Sequence, residues 1–150
     1  MSQISHLDLI GRAPRVAIHE HSDALRAVLQ QTLRDEGYDQ IQDLRSVAEI
    51  HAALSAGSVD LLLLDLDAPD APGADPFSLC RDIRSRHPRL GLLAMSTRVN
   101  AERLAHSLNA GSDHLLCKPL SAGELAAHVR RVLERARAWA EPSSTQRLQF

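Results

Sequence analysis

A run of four leucines ends in Asp65, and a second acidic residue, Asp67, follows two positions later. The run is short, with a Gly-Ser pair before it and a proline after it, which is typical of a buried strand in a parallel sheet. In such sheets, ligand chemistry lies at the carboxyl ends of the strands. Asp65 is therefore a candidate nucleophile or metal ligand, although an aspartate at this position can equally do no more than cap the following turn.

Polar groups also follow three other predicted strands. Glu20 and His21 follow the first, Ser96 and Thr97 follow the fourth, and Lys118 follows the fifth. A carboxylate nucleophile, oxygen ligands for a divalent cation, a hydroxyl and a lysine are what phosphoryl transfer to an aspartate requires, because that reaction depends on positioning and charge neutralisation. Taken singly, the lysine is explained as a loop residue and the serine as a strand-end hydroxyl. Their joint placement predicts a phosphoryl-transfer site.

Strand and helix patterns alternate five times along the chain. Helices are indicated by apolar residues recurring every three or four positions, between capping residues such as Ser46, Asp75 and Ser121 and terminating glycines. The strands are predicted at the leucine run and at four other apolar segments: Arg15–His19, Ile41–Leu44, Leu90–Met95 and His114–Cys117. This order predicts an α/β fold with a doubly wound, five-stranded parallel sheet.

The composition is that of an ordinary globular domain. The chain has 150 residues, of which 44% are hydrophobic and 24% charged, and this length suits one domain with a real core. A formal charge of −2 argues against binding nucleic acid or an anionic membrane by charge alone. Two distant cysteines do not indicate a disulfide scaffold, and we recognise no signal peptide or membrane-spanning run. These features predict a cytoplasmic location.

The segment from about Arg15 to Arg137 resembles the receiver domain of two-component response regulators. Leu62–Leu66, with a proline four residues after Asp65, is similar to the phosphoacceptor motif of that family, and Gly111–Pro119 is similar to its closing motif. The spacings between Glu20, Asp65, Ser96 and Lys118 are those of the family. The resemblance implies the CheY-like strand order 2-1-3-4-5.

The resemblance also implies a role for each site residue. Asp65 would take a phosphoryl group from a histidine of a sensor kinase, Ser96 would bond to the phosphoryl oxygens, and Lys118 would form an ion pair with them. The domain would assist its own phosphorylation without being an enzyme in the usual sense. Mg²⁺ would be held by the acids after the first strand, by Asp65 and by the backbone carbonyl of Asp67. The bond between Lys118 and Pro119 is often cis in this family.

Two residues depart from the family pattern. His21 stands where a second acidic residue is expected, and imidazole is a poor ligand for Mg²⁺, so Mg²⁺ binding is expected to be weakened. With Glu20, Asp65 and His19, His21 would instead suit zinc, manganese or another transition metal, unless it is simply a polar residue of a turn. Leu115 replaces the aromatic residue that usually couples to the Ser/Thr position.

Two other functions compete with the phosphoaccepting receiver. A strand that ends in Asp-x-Asp is also the first motif of haloacid-dehalogenase-type phosphatases. In that family, however, the motif usually lies near the N-terminus, and a further acidic pair that this chain lacks follows the lysine. A degenerate receiver that serves as a phosphorylation-independent dimerisation or interaction module is the stronger alternative. The loss of one acid and of the aromatic switch favours it, whereas Asp65, Ser96 and Lys118 favour phosphorylation.

The resemblance divides the chain into an N-terminal extension (1–14), a receiver domain (15–138) and a linker (139–150). Gln146–Phe150 resembles the first strand of the DNA-binding domain in OmpR/PhoB-type regulators, so we expect DNA to be bound only through a missing effector domain. We further expect a homodimer formed through the fourth helix, fifth strand and fifth helix. Asp113 would pair across that dimer with Arg130 or Arg131. The remaining partner is the sensor histidine kinase, and no membrane partner is expected.

Overall fold

Five parallel strands form one sheet in the order β2-β1-β3-β4-β5. The computed structural model describes residues 12–67 and 75–140, with side chains described as far as residue 135. The strands are β1 (Arg15–His19), β2 (Gln40–Asp43), β3 (Leu61–Asp65), β4 (Gly91–Ser96) and β5 (His114–Cys117). The helices are α1 (Asp23–Asp35), α2 (Val47–Ser55), α3 (Pro76–Arg86), α4 (Ala101–Asn109) and α5 (Ala122–Ala140). The predicted fold class and strand order are confirmed.

Two predicted features lie outside the described residues. They are the N-terminal extension as far as residue 11 and the final segment 141–150 with the strand predicted near its end. Within 12–67 and 75–140, no helix has both the length and the apolar character needed to cross a membrane.

The sheet separates two hydrophobic layers because successive side chains of a strand point to opposite faces. Every residue of β3 is buried. Leu61 and Leu63 face α1 and α5, where they join a cluster that includes Leu29 and Val129. On the other face, Leu62 and Leu64 pack with α2 and α3 through residues that include Ile50, Phe77 and Ile83. Burial of each such leucine contributes roughly 1.5–3 kcal/mol, so the central strand is firmly anchored and its last residue is held in place.

The helix boundaries follow the predicted caps. The side chains of Ser46 and Asp75 accept hydrogen bonds from backbone N–H groups in the first turns of α2 and α3. Gly111 has a φ of 109° just after α4, where it also packs against Arg84. Two strands differ from their predicted ranges by one residue, because backbone pairing and apolar runs do not coincide: β2 begins and ends one residue earlier, and β4 one residue later.

A network of polar contacts surrounds Asp113 at the amino ends of β4 and β5. The Asp113 carboxylate accepts a hydrogen bond from the Leu92 amide at 2.8 Å and lies 2.5 Å from Arg135 and 3.4 Å from Arg84. Only 8% of its side chain is exposed. Arg84 also donates to the carbonyl oxygens of three turn residues and of Gly111. Asp113 thus has partners within its own chain, and its pairing across a dimer with Arg130 or Arg131 stays a prediction.

Candidate functional site

The parallel register brings the predicted site residues to one edge of the sheet. His19 pairs with Leu64, so Glu20 at the end of β1 comes beside Asp65 at the end of β3. At the other side of β3, Asp65 pairs with Met95, which places Ser96 close to the same edge. Ser96 in turn pairs with Cys117, and Lys118 follows at once. Glu20, Asp65 and Ser96 are buried.

The carboxylate of Asp65 is fully enclosed and both of its oxygens have partners. Oδ1 accepts hydrogen bonds from Lys118 Nζ at 2.7 Å and from the Asp67 amide at 2.8 Å. Oδ2 contacts the imidazole Nδ1 of His21 and lies 3.3 Å from the His21 amide. Burial by itself raises the pKa of Asp65, but the hydrogen bonds from Lys118, His21 and Asp67 outweigh burial and hold it below its usual value. Asp65 is therefore an anion at neutral pH, as a nucleophile must be.

Lys118 supplies the central positive charge of the site. Its ammonium group lies 2.8 Å from Glu20 Oε1 and 2.7 Å from Asp65 Oδ1, and only 7% of the side chain is exposed. Burial acts to lower the pKa of Lys118, but its hydrogen bonds to Asp65 and Glu20 raise it overall. The lysine therefore stays protonated and can neutralise an incoming anion. The peptide bond between Lys118 and Pro119 is cis, as predicted.

Three donor groups at this edge are close enough to hold one metal ion. One ligand atom from each of Glu20, His21 and Asp65 lies within 4.8 Å of the other two. His21 Nδ1 is 3.3 Å from Glu20 Oε2, and about half of its side chain is exposed. Two carboxylates and one imidazole fit a divalent cation, but the imidazole suits a transition metal better than Mg²⁺.

His19 does not belong to this cluster. Its Nδ1 donates to the Leu44 carbonyl at 2.8 Å. The imidazole therefore binds the end of β2, whereas Glu20 and His21 supply the donors near Asp65. The prediction that His19 joins a transition-metal site is wrong, because its ring is buried against a neighbouring strand.

The side chain of Asp67 has a role that the sequence did not indicate. It lies outside the metal-donor cluster and instead binds the end of β4: Ser96 Oγ donates to Oδ1 at 2.8 Å, and the Thr97 amide donates to Oδ2 at 2.7 Å. Burial raises the pKa of Asp67, but these hydrogen bonds outweigh it and lower the pKa. The strand register could have revealed the contact, because Asp65 pairs with Met95 and two further steps bring Asp67 beside Thr97. Metal binding by its backbone carbonyl remains a prediction.

A second unpredicted residue, Arg103, reaches the site from α4. Its Nη2 lies 3.5 Å from Ser96 Oγ, while its Nε donates to the Arg98 carbonyl at 2.6 Å. Its guanidinium also lies over the ring of Phe77. Leu115, which replaces the expected aromatic residue, is buried in the hydrophobic cluster that side chains of α2, α3 and α4 form on one face of the sheet.

Comparison with protein families and curated sequences gives one consistent result. The family model "Response regulator receiver domain" matches residues 16–130. The phosphate regulon transcriptional regulatory protein PhoB of Rhizobium meliloti is 32% identical over 83% of this chain and 54% of its own length. The transcriptional regulatory protein CreB of Escherichia coli is 34% identical over 59% of this chain and 38% of its length. The DNA-binding transcriptional activator DevR/DosR of Mycobacterium tuberculosis is 30% identical over 77% of this chain and 52% of its own length. The chain thus spans about half the length, or less, of these relatives.

Solved structures agree on the fold. A CheY-like response regulator receiver domain protein from Methanospirillum hungatei superimposes with a TM-score of 0.71 at 23% identity, covering 82% of this chain and 95% of the other. NtrX from Brucella abortus has a TM-score of 0.76 at 22% identity, covering 89% of this chain and 29% of the other. At such identities the likeness extends to the fold alone.

Proposed function

Because this chain belongs to the response regulator receiver domain family, we propose that it accepts a phosphoryl group on Asp65 from a phosphohistidine of a sensor kinase. One observation carries the proposal: an ionised, enclosed carboxylate at the end of the central strand lies 2.7 Å from a buried lysine ammonium. That pairing provides a nucleophile together with the charge that the arriving phosphoryl oxygens require.

The proposed transfer needs no base, because Asp65 is already an anion. An oxygen of Asp65 donates an electron pair to phosphorus, and the bond between phosphorus and the imidazole nitrogen of the kinase breaks. That nitrogen keeps the bonding pair and takes up a proton from solvent, which regenerates neutral histidine. Lys118 neutralises one phosphoryl oxygen, and the Ser96 hydroxyl donates to another.

Glu20, Asp65 and the backbone carbonyl of Asp67 are the groups that would hold Mg²⁺. When bound, the cation would add positive charge beside the phosphoryl oxygens. His21 reduces the number of anionic oxygen ligands, so the proposal includes weakened Mg²⁺ binding and leaves a transition metal as the alternative occupant. Measurement of Mg²⁺ and Zn²⁺ affinities distinguishes the two.

The proposed output is control of transcription. Support comes from the relatives, two of which are named as transcriptional regulatory proteins and one as a DNA-binding transcriptional activator. We propose that the receiver works in the cytoplasm as the N-terminal part of such a regulator. In this proposal a homodimer forms through α4, β5 and α5, and a separate effector domain contacts DNA.

The decisive experiment exposes the protein and Mg²⁺ to phosphoramidate and records the intact mass. The wild type should gain one phosphoryl group, and Asp65→Asn should gain none. Asp23→Asn is a matched control, because Asp23 is an exposed acid in the first turn of α1 and should leave labelling unchanged. Phosphorylation that persists in Asp65→Asn would contradict the assignment.

A phosphorylation-independent interaction module is the second candidate. Two features favour it. The His21 ring contacts Asp65 Oδ2, and His21 stands where the family pattern has a second acidic residue. If this function is correct, the folded wild type will remain unlabelled by phosphoramidate and will not respond to beryllofluoride. Its dimerisation will then be the same with and without these reagents.

A further inference from the structure

The end of β4 offers two hydrogen-bond donors to the phosphorylation site, and one carboxylate holds both. Ser96 Oγ donates to Asp67 Oδ1 at 2.8 Å, and the Thr97 N–H donates to Asp67 Oδ2 at 2.7 Å. The Asp67 side chain is 19% exposed and also lies 3.7 Å from Lys118 Nζ. A single anion therefore bridges the hydroxyl and the amide, with the site lysine close by.

These contacts resemble those that a phosphoryl group would make. A phosphoryl group on Asp65 is anionic and presents oxygens to the Ser96 hydroxyl and to Lys118, which lies only 2.7 Å from Asp65. The Thr97 amide follows Ser96 directly and is held by the same carboxylate. A carboxylate and a phosphoryl group both accept short, charge-assisted hydrogen bonds through neighbouring oxygens. The same donors cannot fully serve both anions at once.

We propose that the Asp67 side chain is a positioning residue that takes the place of phosphoryl oxygens in the unmodified protein, and that a phosphoryl group arriving on Asp65 must displace it. This inference rests on the proposed function. It assigns the Asp67 side chain a role separate from metal binding by its backbone. Asp67 keeps Ser96 and Thr97 pointed into the site, and its negative charge opposes the incoming anion.

The proposal predicts slower phosphorylation in the wild type than in variants that free the donors. Asp67→Ala removes both acceptor oxygens and the charge, so phosphoramidate should label it about tenfold faster, the effect expected from one charge-assisted hydrogen bond. Asp67→Asn keeps one acceptor oxygen and should give a smaller increase. Glu102→Gln is the matched control, because this exposed acid in the first turn of α4 carries the same charge. Its labelling rate should change less than twofold.

Two further readouts separate this role from a merely structural one. The Thr97 amide proton donates to a carboxylate in the wild type, so its NMR resonance should move upfield in Asp67→Ala by more than those of its neighbours. Beryllofluoride with Mg²⁺ should bind more tightly to Asp67→Ala. A structural defect would instead weaken binding and lower the midpoint of thermal unfolding.

The outcomes separate this inference from the function on which it rests. Labelling of Asp67→Ala at the wild-type rate, or a Thr97 resonance that does not move, overturns the inference and leaves Asp65 as phosphoacceptor. If phosphoramidate labels Asp67→Ala but not the wild type, both the inference and the proposed function are supported. If the wild type and both Asp67 variants are inert to phosphoramidate and beryllofluoride, the proposed function fails and the inference fails with it.

Discussion

At the scale of single residues, the site is defined by an excess of negative charge that one lysine does not cancel. Glu20 and Asp65 both lie within 2.8 Å of Lys118, and Asp67 lies 3.7 Å away. Enclosed carboxylates with fewer positive partners favour a cation. The His21 ring occupies the side of Asp65 that the lysine leaves open. We therefore expect His21 to determine which cation the site accepts.

His21→Asp should bind Mg²⁺ at least about tenfold more tightly than the wild type, because it restores an anionic oxygen ligand beside Glu20 and Asp65. Calorimetric or NMR titration measures the affinity. His21→Asn is the matched control: it removes the imidazole without adding charge and should gain much less. Unchanged Mg²⁺ affinity in His21→Asp would mean that this position does not contribute to the site. Tight Zn²⁺ binding by the wild type that is lost in His21→Ala would support the transition metal.

At the scale of elements, the turns at the amino ends of the strands hold the helices in position. Gly111 ends α4 with a positive φ, and a Cβ atom there would come within 2.6 Å of the Arg84 side chain. Arg84 cannot move away cheaply, since it donates to the carbonyl oxygens of Gly111 and Leu90. The glycine therefore serves both the backbone conformation and the packing of α3 against the turn.

A series of Gly→Ala variants should separate these two effects. Gly123 has open space around it in the first turn of α5, so Gly123→Ala should be neutral or stabilising by up to about 1 kcal/mol. Gly57 also has open space but a φ of 70°, so Gly57→Ala should cost about 1 kcal/mol. Gly111→Ala adds the clash with Arg84 and should cost about 2–4 kcal/mol. Urea unfolding measures each, and a Gly111→Ala variant no less stable than Gly57→Ala would contradict the argument.

The turn before β3 should make stability depend on acid pH. Asp60 accepts hydrogen bonds from the Arg15 amide at 2.7 Å and from Arg12, and this fastens the start of β1 to β3. Burial raises the pKa of Asp60, but its hydrogen bonds to Arg12 and Arg15 lower it overall. A group whose pKa is lowered in the folded state stabilises the fold above its unfolded pKa, and this contribution is lost as pH falls through the folded value.

Asp60→Asn should therefore lower the free energy of unfolding by about 2 kcal/mol at neutral pH. The difference from the wild type should shrink from about pH 5 downward. Urea unfolding over a pH series measures it. Asp23→Asn is the control, because the Asp23 side chain is 88% exposed and a single ion pair of such a group contributes little. A difference between wild type and Asp60→Asn that stays constant down to low pH would contradict this account.

Local patterns predicted the elements, and the placement of polar groups at strand ends predicted that Asp65 and Lys118 share a site, whereas several side-chain contacts between elements were missed. The four-leucine run and the capping residues Ser46 and Asp75 act within a few residues, so strands and helix starts were predicted to within one or two positions. The bond from Thr97 to Asp67 depends instead on the register between two strands. The partners of Asp113 likewise depend on where α3 and α5 place Arg84 and Arg135 beside the turn before β5. Such contacts are not encoded in the periodicity of any one segment.

At the scale of the whole molecule, exposed apolar side chains lie on two different helices beside the sheet. β5 is an edge strand, and beside it the rings of His114 and His128 stack with centroids 4.5 Å apart. Among the described residues, two large apolar side chains are exposed: Leu108 on α4, at 43%, and Val28 on α1, at 55%. Leu108 lies on the surface of α4, β5 and α5 that we propose as the dimer interface, and Val28 lies on a helix outside it.

This pair of residues provides a direct test of the dimer. Leu108→Glu should raise the dimer dissociation constant of the beryllofluoride-bound protein at least about tenfold, because it replaces an apolar contact of roughly 1.5–3 kcal/mol with a charge. Val28→Glu places the same charge on a more exposed side chain of α1 and should leave dimerisation unchanged. Sedimentation velocity over a concentration series, with and without beryllofluoride, measures both. A Leu108→Glu variant that dimerises like the wild type would exclude this surface. If Val28→Glu alone abolished the dimer, the interface would instead lie on the α1 side of the molecule.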